Sequence, residues 1–114
     1  MNRKLNALAE QGCSIEAALN RIGGDEEFLL MCMKMTIDDP CFSQLGESIN
    51  ARNVKGAFDA AHSLKGICAN TGLDPLTKPA CEITEILRTG SLEGVKDMYE
   101  SMMATHAQLC AIVA

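Results

Sequence analysis

Tryptophan is absent from this 114-residue chain, and three phenylalanines and one tyrosine are all the aromatic bulk it has. The runs of β-branched and aromatic residues that strands require are missing too. A core without them has to be built from Leu, Ile, Met, Ala and Cys, which suits helix packing better than stacked sheets. No stretch approaches the roughly 18 consecutive apolar residues of a membrane span. Met1 to Gly12 lacks the apolar run of a secretory signal. These two absences place the chain in the cytoplasm and away from membranes.

Positive charge is also scarce. The net charge is −5, and the ten basic residues form no cluster beyond Arg3-Lys4. Neutralising nucleic-acid phosphates needs a basic face, so a nucleic-acid binder is excluded. There is no C-x-x-C pair, and the spacing of Cys13, Cys32, Cys41, Cys68, Cys81 and Cys110 is irregular. Most of these cysteines sit among apolar neighbours at helical positions, where a thiol acts as a small hydrophobe. They read as reduced and buried, and no metal site is expected, because neither histidine stands at ligand spacing from a cysteine pair.

What is present is a succession of helical patterns broken by turn residues, without repeats or low-complexity linkers. Asn2 to Glu10 reads as a short helix stopped by Gly12. Ser14 is placed to cap Ile15 to Ile22, which ends at Gly23-Gly24. Asp25 then caps a helix from Glu26 to about Ile37, and Asp39-Pro40 breaks it. A fourth helix runs from Cys41 to about Ala51.

Asn53 is placed to cap a central helix, Val54 to Thr71, whose core face is Val54, Ala57, Phe58, Ala61, Leu64 and Cys68. Gly72 ends it, and Asp74-Pro75 restarts the chain in the cap-then-proline pattern. Leu76, Ala80, Ile83 and Leu87 form the next stripe, although Pro79 predicts a bend or a start nearer Thr77. Thr89-Gly90 closes that helix, and Ser91 is placed to cap a last one from Leu92 to about Ile112. Four of these helices are long enough to pack side by side. Short connections favour antiparallel neighbours, so the expected fold is all-α. It is an up-and-down antiparallel four-helix bundle with short N-terminal helices, in one domain spanning 1–114. The methionines, seven in all, recur at core positions of helices and read as pliable packing.

The densest chemical signal is Ala61-His62-Ser63-Leu64-Lys65-Gly66. At about 100° per residue, Lys65 and Gly66 fall on either side of His62 on one helical face. His62 points about 100° away from Ala61, near the border of core and solvent. Along its face follow Gly66, Ala69 and Leu73, which make a small, apolar surface for another protein to dock on. A neutral imidazole offers a nucleophilic nitrogen without a separate base. Lys65 can offset the charge of a phosphoryl group. Gly66 costs about 1 kcal/mol inside a helix relative to alanine, so the site needs the space. Taken alone, a lone helical histidine is more often a structural residue. The border position, the mid-helix glycine and the small neighbours together favour function. His106, by contrast, has no partner motif and reads as a surface or edge residue.

These residues, with Gly72-Leu73 and then Leu76, Ala80 and Ile83, resemble the histidine-containing phosphotransfer (HPt) domain family. The segment Ile15-Glu16-Ala17-Ala18-Leu19-Asn20-Arg21-Ile22-Gly23-Gly24-Asp25-Glu26-Glu27 is similar to that family's N-terminal part. The resemblance implies a helical bundle whose histidine takes a phosphoryl group from a receiver-domain aspartyl phosphate and passes it on. His62 would accept the phosphoryl group, Lys65 would be the cation beside it and Gly66 the space-giving residue. Ser63, Ala69 and Leu73 would meet the partner, and Arg88 is either a second cation for the partner or phosphoryl group or an ordinary solvated charge that suits the end of its helix. Thr84 stands where the family often has a glutamate or glutamine that orients the imidazole, with Glu85 or water as substitutes.

The resemblance implies no cofactor in this chain, the Mg²⁺ belonging to the receiver. The partners would be receiver domains of response regulators and hybrid sensor kinases. Two other functions compete with this one. One is a helical module that docks on a receiver or kinase domain without being phosphorylated, against which the intact His62-Lys65-Gly66 set speaks. The other is an independent kinase, against which the absence of any phosphate-cradling glycine loop speaks. Met1 and the lack of flanking linkers point to a free-standing protein.

Overall fold

Side-chain caps set where several helices begin in the computed structural model, which describes residues 1–114. Asn2 opens α1 (Arg3–Glu10) by accepting hydrogen bonds from the N–H groups of Lys4 and Leu5, at 2.7 and 3.3 Å. Asp25 opens α3 (Glu26–Ile37) through the Phe28 N–H at 3.0 Å. Asn53 opens α5 (Val54–Asn70) through the Gly56 N–H at 3.0 Å. Asp25 and Asn53 each satisfy one, and Asn2 two, of the N–H groups that a helix start leaves unpaired. The remaining helices are α2 (Ile15–Ile22), α4 (Cys41–Asn50), α6 (Asp74–Arg88) and α7 (Val95–Val113).

Three other starts differ from the sequence reading. Ser14 and Asp74 cap nothing; the Ser14 hydroxyl donates instead to the Asp74 carboxylate, joining the starts of α2 and α6. Leu73 takes the cap position of α6, and its carbonyl accepts from the Thr77 N–H and hydroxyl at 3.0 and 3.1 Å. Pro79 lies inside α6 without ending it. Its missing N–H removes the helical donor to the carbonyl of Pro75, four residues earlier. Ser91 accepts from the Glu93 N–H at 3.0 Å, and α7 starts only at Val95, after Gly94.

The molecule is an all-helical bundle. Helices α4, α5, α6 and α7 pack each against the next, and α7 closes back on α4. Helix α3 lies on α7 and α2 on α3, while α1 touches α2, α3 and α7. One core of 25 buried apolar residues runs through all seven helices. No helix is long and apolar enough to cross a membrane.

Two glycines allow close approaches. Gly72 turns the chain between α5 and α6 at φ +74°, and its carbonyl accepts from the Ser14 N–H at 2.9 Å. A Cβ there would stand 2.8 Å from the Ser14 carbonyl oxygen, so only glycine admits this contact. Gly46 leaves α4 bare where the Tyr99 ring of α7 lies across it, and the Tyr99 hydroxyl donates to the Phe42 carbonyl at 2.8 Å.

His106 corrects the reading of an unpartnered edge residue. It is half-buried, with Nε2 2.7 Å from the Ile37 carbonyl at the end of α3 and its ring 4.5 Å from that of Phe42. The cysteines are all free, but only Cys13 and Cys68 are buried; the other four are half-buried. The methionines divide. Met33 and Met102 are core residues, whereas Met31 and Met35 are 49% and 67% exposed on the outer side of α3, beside Phe28.

Candidate functional site

Helix α5 carries the candidate site on its outer side, because its inner side is fixed by Ala57, Ala61, Leu64 and Cys68. His62 follows the buried Ala61 and is therefore turned out of the core; its imidazole is exposed. Neither ring nitrogen has a hydrogen-bond partner in the protein. Ser63, Gly66 and Ala69 are exposed on the same helix, and Lys65 is half-buried without an ion pair. A Cβ built on Gly66 meets nothing within 4 Å. Nothing in this chain requires the glycine, so the open place faces whatever comes from outside.

Two residues expected at the site lie elsewhere. Leu73 was placed on the docking face by extending the α5 periodicity, but the helix ends at Asn70 and the chain turns at Gly72. Leu73 is consequently 0% exposed, a core residue that no partner can touch. Thr84 was expected to orient the imidazole. It faces the core at 0% exposure, and its hydroxyl donates to the Ala80 carbonyl of its own helix at 2.6 Å. Its one proton is committed one turn away, so Thr84 does not reach His62.

The ring beside the imidazole belongs to a residue whose spacing marks it only as core. Phe58, one turn before His62, stacks its ring on the imidazole with centroids 5.7 Å apart and planes 28° apart. Arg88 of α6 lays its guanidinium over the same Phe58 ring, with Cζ 5.2 Å from the centroid. Arg88 Nε also donates to Glu85 Oε2 at 2.8 Å. That bond, and then the charges of Arg88 and Lys65, hold the Glu85 carboxyl below its ordinary range. Glu85 is therefore turned to Arg88 and makes no bond to His62. The i, i+4 spacing of Phe58 and His62 was the signal available in the sequence.

The surroundings differ on the two sides of α5. Toward α4, Ser63 forms the lip of a polar groove of about 340 Å³ shared with Cys41, Gln44, Glu47 and Asp59. Toward α6, Phe58 lines a more apolar hollow of about 400 Å³ with Val54, Leu87 and Arg88. The imidazole thus stands between an acidic side and a side bearing two cations, Lys65 and Arg88. No group of three His, Cys, Asp or Glu side chains is arranged to hold a metal ion.

The chain matches the Hpt domain family over residues 39–112 of its 114. It belongs to that family, whose members carry phosphoryl groups on histidine in two-component systems and interact with receiver domains rather than acting as kinases or ATPases. The match spans α4 to α7, hence the whole ring of helices around the site, whereas Ile15 to Glu27 lies outside it. No curated protein and no solved structure shows significant similarity to this chain.

Proposed function

We propose that this chain is a histidine phosphotransfer protein of a phosphorelay, one domain over 1–114, in which His62 takes the phosphoryl group from a receiver aspartate and passes it on. The observation that carries the reading is the exposed imidazole with both nitrogens unpartnered, next to the empty position at Gly66. In the transfer, a ring-nitrogen lone pair forms the N–P bond as the P–O bond to the aspartate breaks. The electron pair leaves on the carboxylate, and the ring's other nitrogen keeps its proton or releases it to water. Lys65 lies close enough to offset the charge brought in. Ser63, Gly66 and Ala69 offer side chains too small to hold a partner away from the ring.

The partners in this reading are receiver domains of response regulators and hybrid sensor kinases, which places the exchange in the cytoplasm. The Mg²⁺ and the ATP-derived energy come from those partners, and this chain acts as a carrier without its own ATP site. The test is transfer from receiver domains phosphorylated with acetyl phosphate, in Mg²⁺, to the wild type and to His62→Gln. Acid-labile, alkali-stable label is expected on the wild type alone, with both proteins giving the same helical circular dichroism. Label on His62→Gln at the wild-type rate would sink the assignment. Binding of a receiver without any label on the wild type would favour a docking module.

A further inference from the structure

The imidazole of His62 has no hydrogen bond to fix its direction. Thr84 is buried and Glu85 is turned to Arg88, so the usual means of aiming a histidine is missing. We infer that Phe58 is a positioning residue for His62, orienting the ring by stacking, and that Arg88 in turn holds Phe58. The inference rests on the phosphotransfer reading above.

Stacking supplies what a hydrogen bond would, and differs from it in one respect. The Phe58 face confines rotation of the imidazole about its side-chain bonds. It does so through the π surface and therefore leaves both in-plane nitrogens, the nucleophilic positions, unoccupied. As a nitrogen lone pair is drawn onto phosphorus, the imidazole gains positive charge, and the electron-rich face of Phe58 lies next to that gain.

Phe58 itself is held on both sides of the α5–α6 seam. It lines the hollow together with Val54 and Leu87, and the Arg88 guanidinium lies over its ring. Arg88 is steadied by Glu85. A chain of four contiguous side chains, Glu85, Arg88, Phe58 and His62, thus connects α6 to the reacting ring. Lys65 adds to the lowering of the Glu85 carboxyl from a distance, without an ion pair between them.

The test loads wild type, Phe58→Leu, Phe58→Tyr and Arg88→Gln with potassium phosphoramidate, which phosphorylates histidine without a protein donor. Each loaded protein is then mixed with unphosphorylated receiver and Mg²⁺, and single-turnover transfer is followed against receiver concentration. Phe58→Leu is expected to lower the maximal rate roughly tenfold, the scale of a misaimed reacting group, with half-saturation within about twofold of wild type. Phe58→Tyr keeps the ring and should transfer within about twofold of wild type. Arg88→Gln should lower the maximal rate by a smaller factor.

Proton NMR gives a reading independent of transfer. The His62 ring protons carry an upfield ring-current shift that is lost in Phe58→Leu and kept in Phe58→Tyr. An unchanged maximal rate in Phe58→Leu overturns the inference, as does a Phe58→Tyr variant as slow as Phe58→Leu. Should Phe58→Leu fail to fold, Arg88→Gln decides: a raised half-saturation with an unaltered maximal rate overturns the inference. A wild type that loads but passes nothing to any receiver removes the proposed function itself, and this inference with it. That result is distinguishable from the first two, in which wild type transfers normally.

Discussion

At the scale of single residues, Gly66 gives the sharpest expectation. It occupies the interior of α5, where glycine costs about 1 kcal/mol relative to alanine, and a Cβ there would touch nothing within 4 Å. Gly66→Ala should therefore raise stability by about 1 kcal/mol, read as a higher urea midpoint at unchanged slope. It should also slow transfer, because the methyl group stands on the face that His62 presents. A variant both more stable and equally fast would show that the opening serves nothing. His62, Lys65 and Gly66 were legible in the sequence because their relation is purely helical, three and four residues along one element. Leu73 was not, because helical spacing has no meaning beyond the turn at Gly72. Thr84 failed for another reason: the resemblance assigned it to the imidazole, whereas its spacing, four residues after Ala80 and three before Leu87, puts it on the buried stripe of α6.

Among the elements, α4 and α7 depend on a contact that no local pattern reveals. Gly46 leaves room for Tyr99, whose hydroxyl is tied to the Phe42 carbonyl. A Cβ at Gly46 would lie 2.5 Å from the Tyr99 hydroxyl oxygen and 2.8 Å from Cζ. Gly46→Ala gains helix propensity but overpacks a seam where the ring cannot swing away freely. It is expected to lower stability by roughly 1 kcal/mol net, against the opposite sign at Gly66. Equal urea midpoints for Gly46→Ala and wild type would show that the ring yields without cost.

The same distinction between local and distant causes separates the helix starts. Asp25 and Asn53 were read correctly because a cap bonds to its own helix three residues on. Ser14 and Asp74 were misread because each is satisfied by the other from a distant part of the chain. The late start of α7 follows from Gly94 at φ +75°, which resets the backbone after Ser91 has already used its side chain.

For the molecule as a whole, the shared core sets a limit on the alkaline side. Burial is the main cause that pushes the Cys68 thiol up to about 12 and the Cys13 thiol up to about 11, from an ordinary 9.0. The nearby carboxylates of Asp39 and Asp74 add to it respectively. In the unfolded chain both thiols ionise near 9.0, while in the fold they stay neutral well beyond it. The stability they contribute is whole below that pH and is lost as pH rises toward about 12. Each thiol steepens the loss by up to about 1.4 kcal/mol per pH unit. Urea titrations from pH 8 upward should show this decline in wild type and a shallower one in Cys68→Ala. Identical slopes would mean that the Cys68 thiol ionises as readily in the fold as outside it. The all-helical class was legible at this scale because composition alone removed the alternatives. Which helix closes on which was not, since only distant contacts such as Tyr99 with α4 decide it.

The unpartnered nitrogens of His62 also bear on direction and time. A ring with no hydrogen bond to break before loading and none to remake after unloading needs no exchange of partners within the chain on either leg. In the proposed relay, such a carrier has no hydrogen bond of its own that favours loading over unloading. The relative concentrations of its partners, and the energies of their aspartyl phosphates, then decide net flow. In the proposed relay, the same openness leaves the loaded ring accessible to water in the intervals between partners.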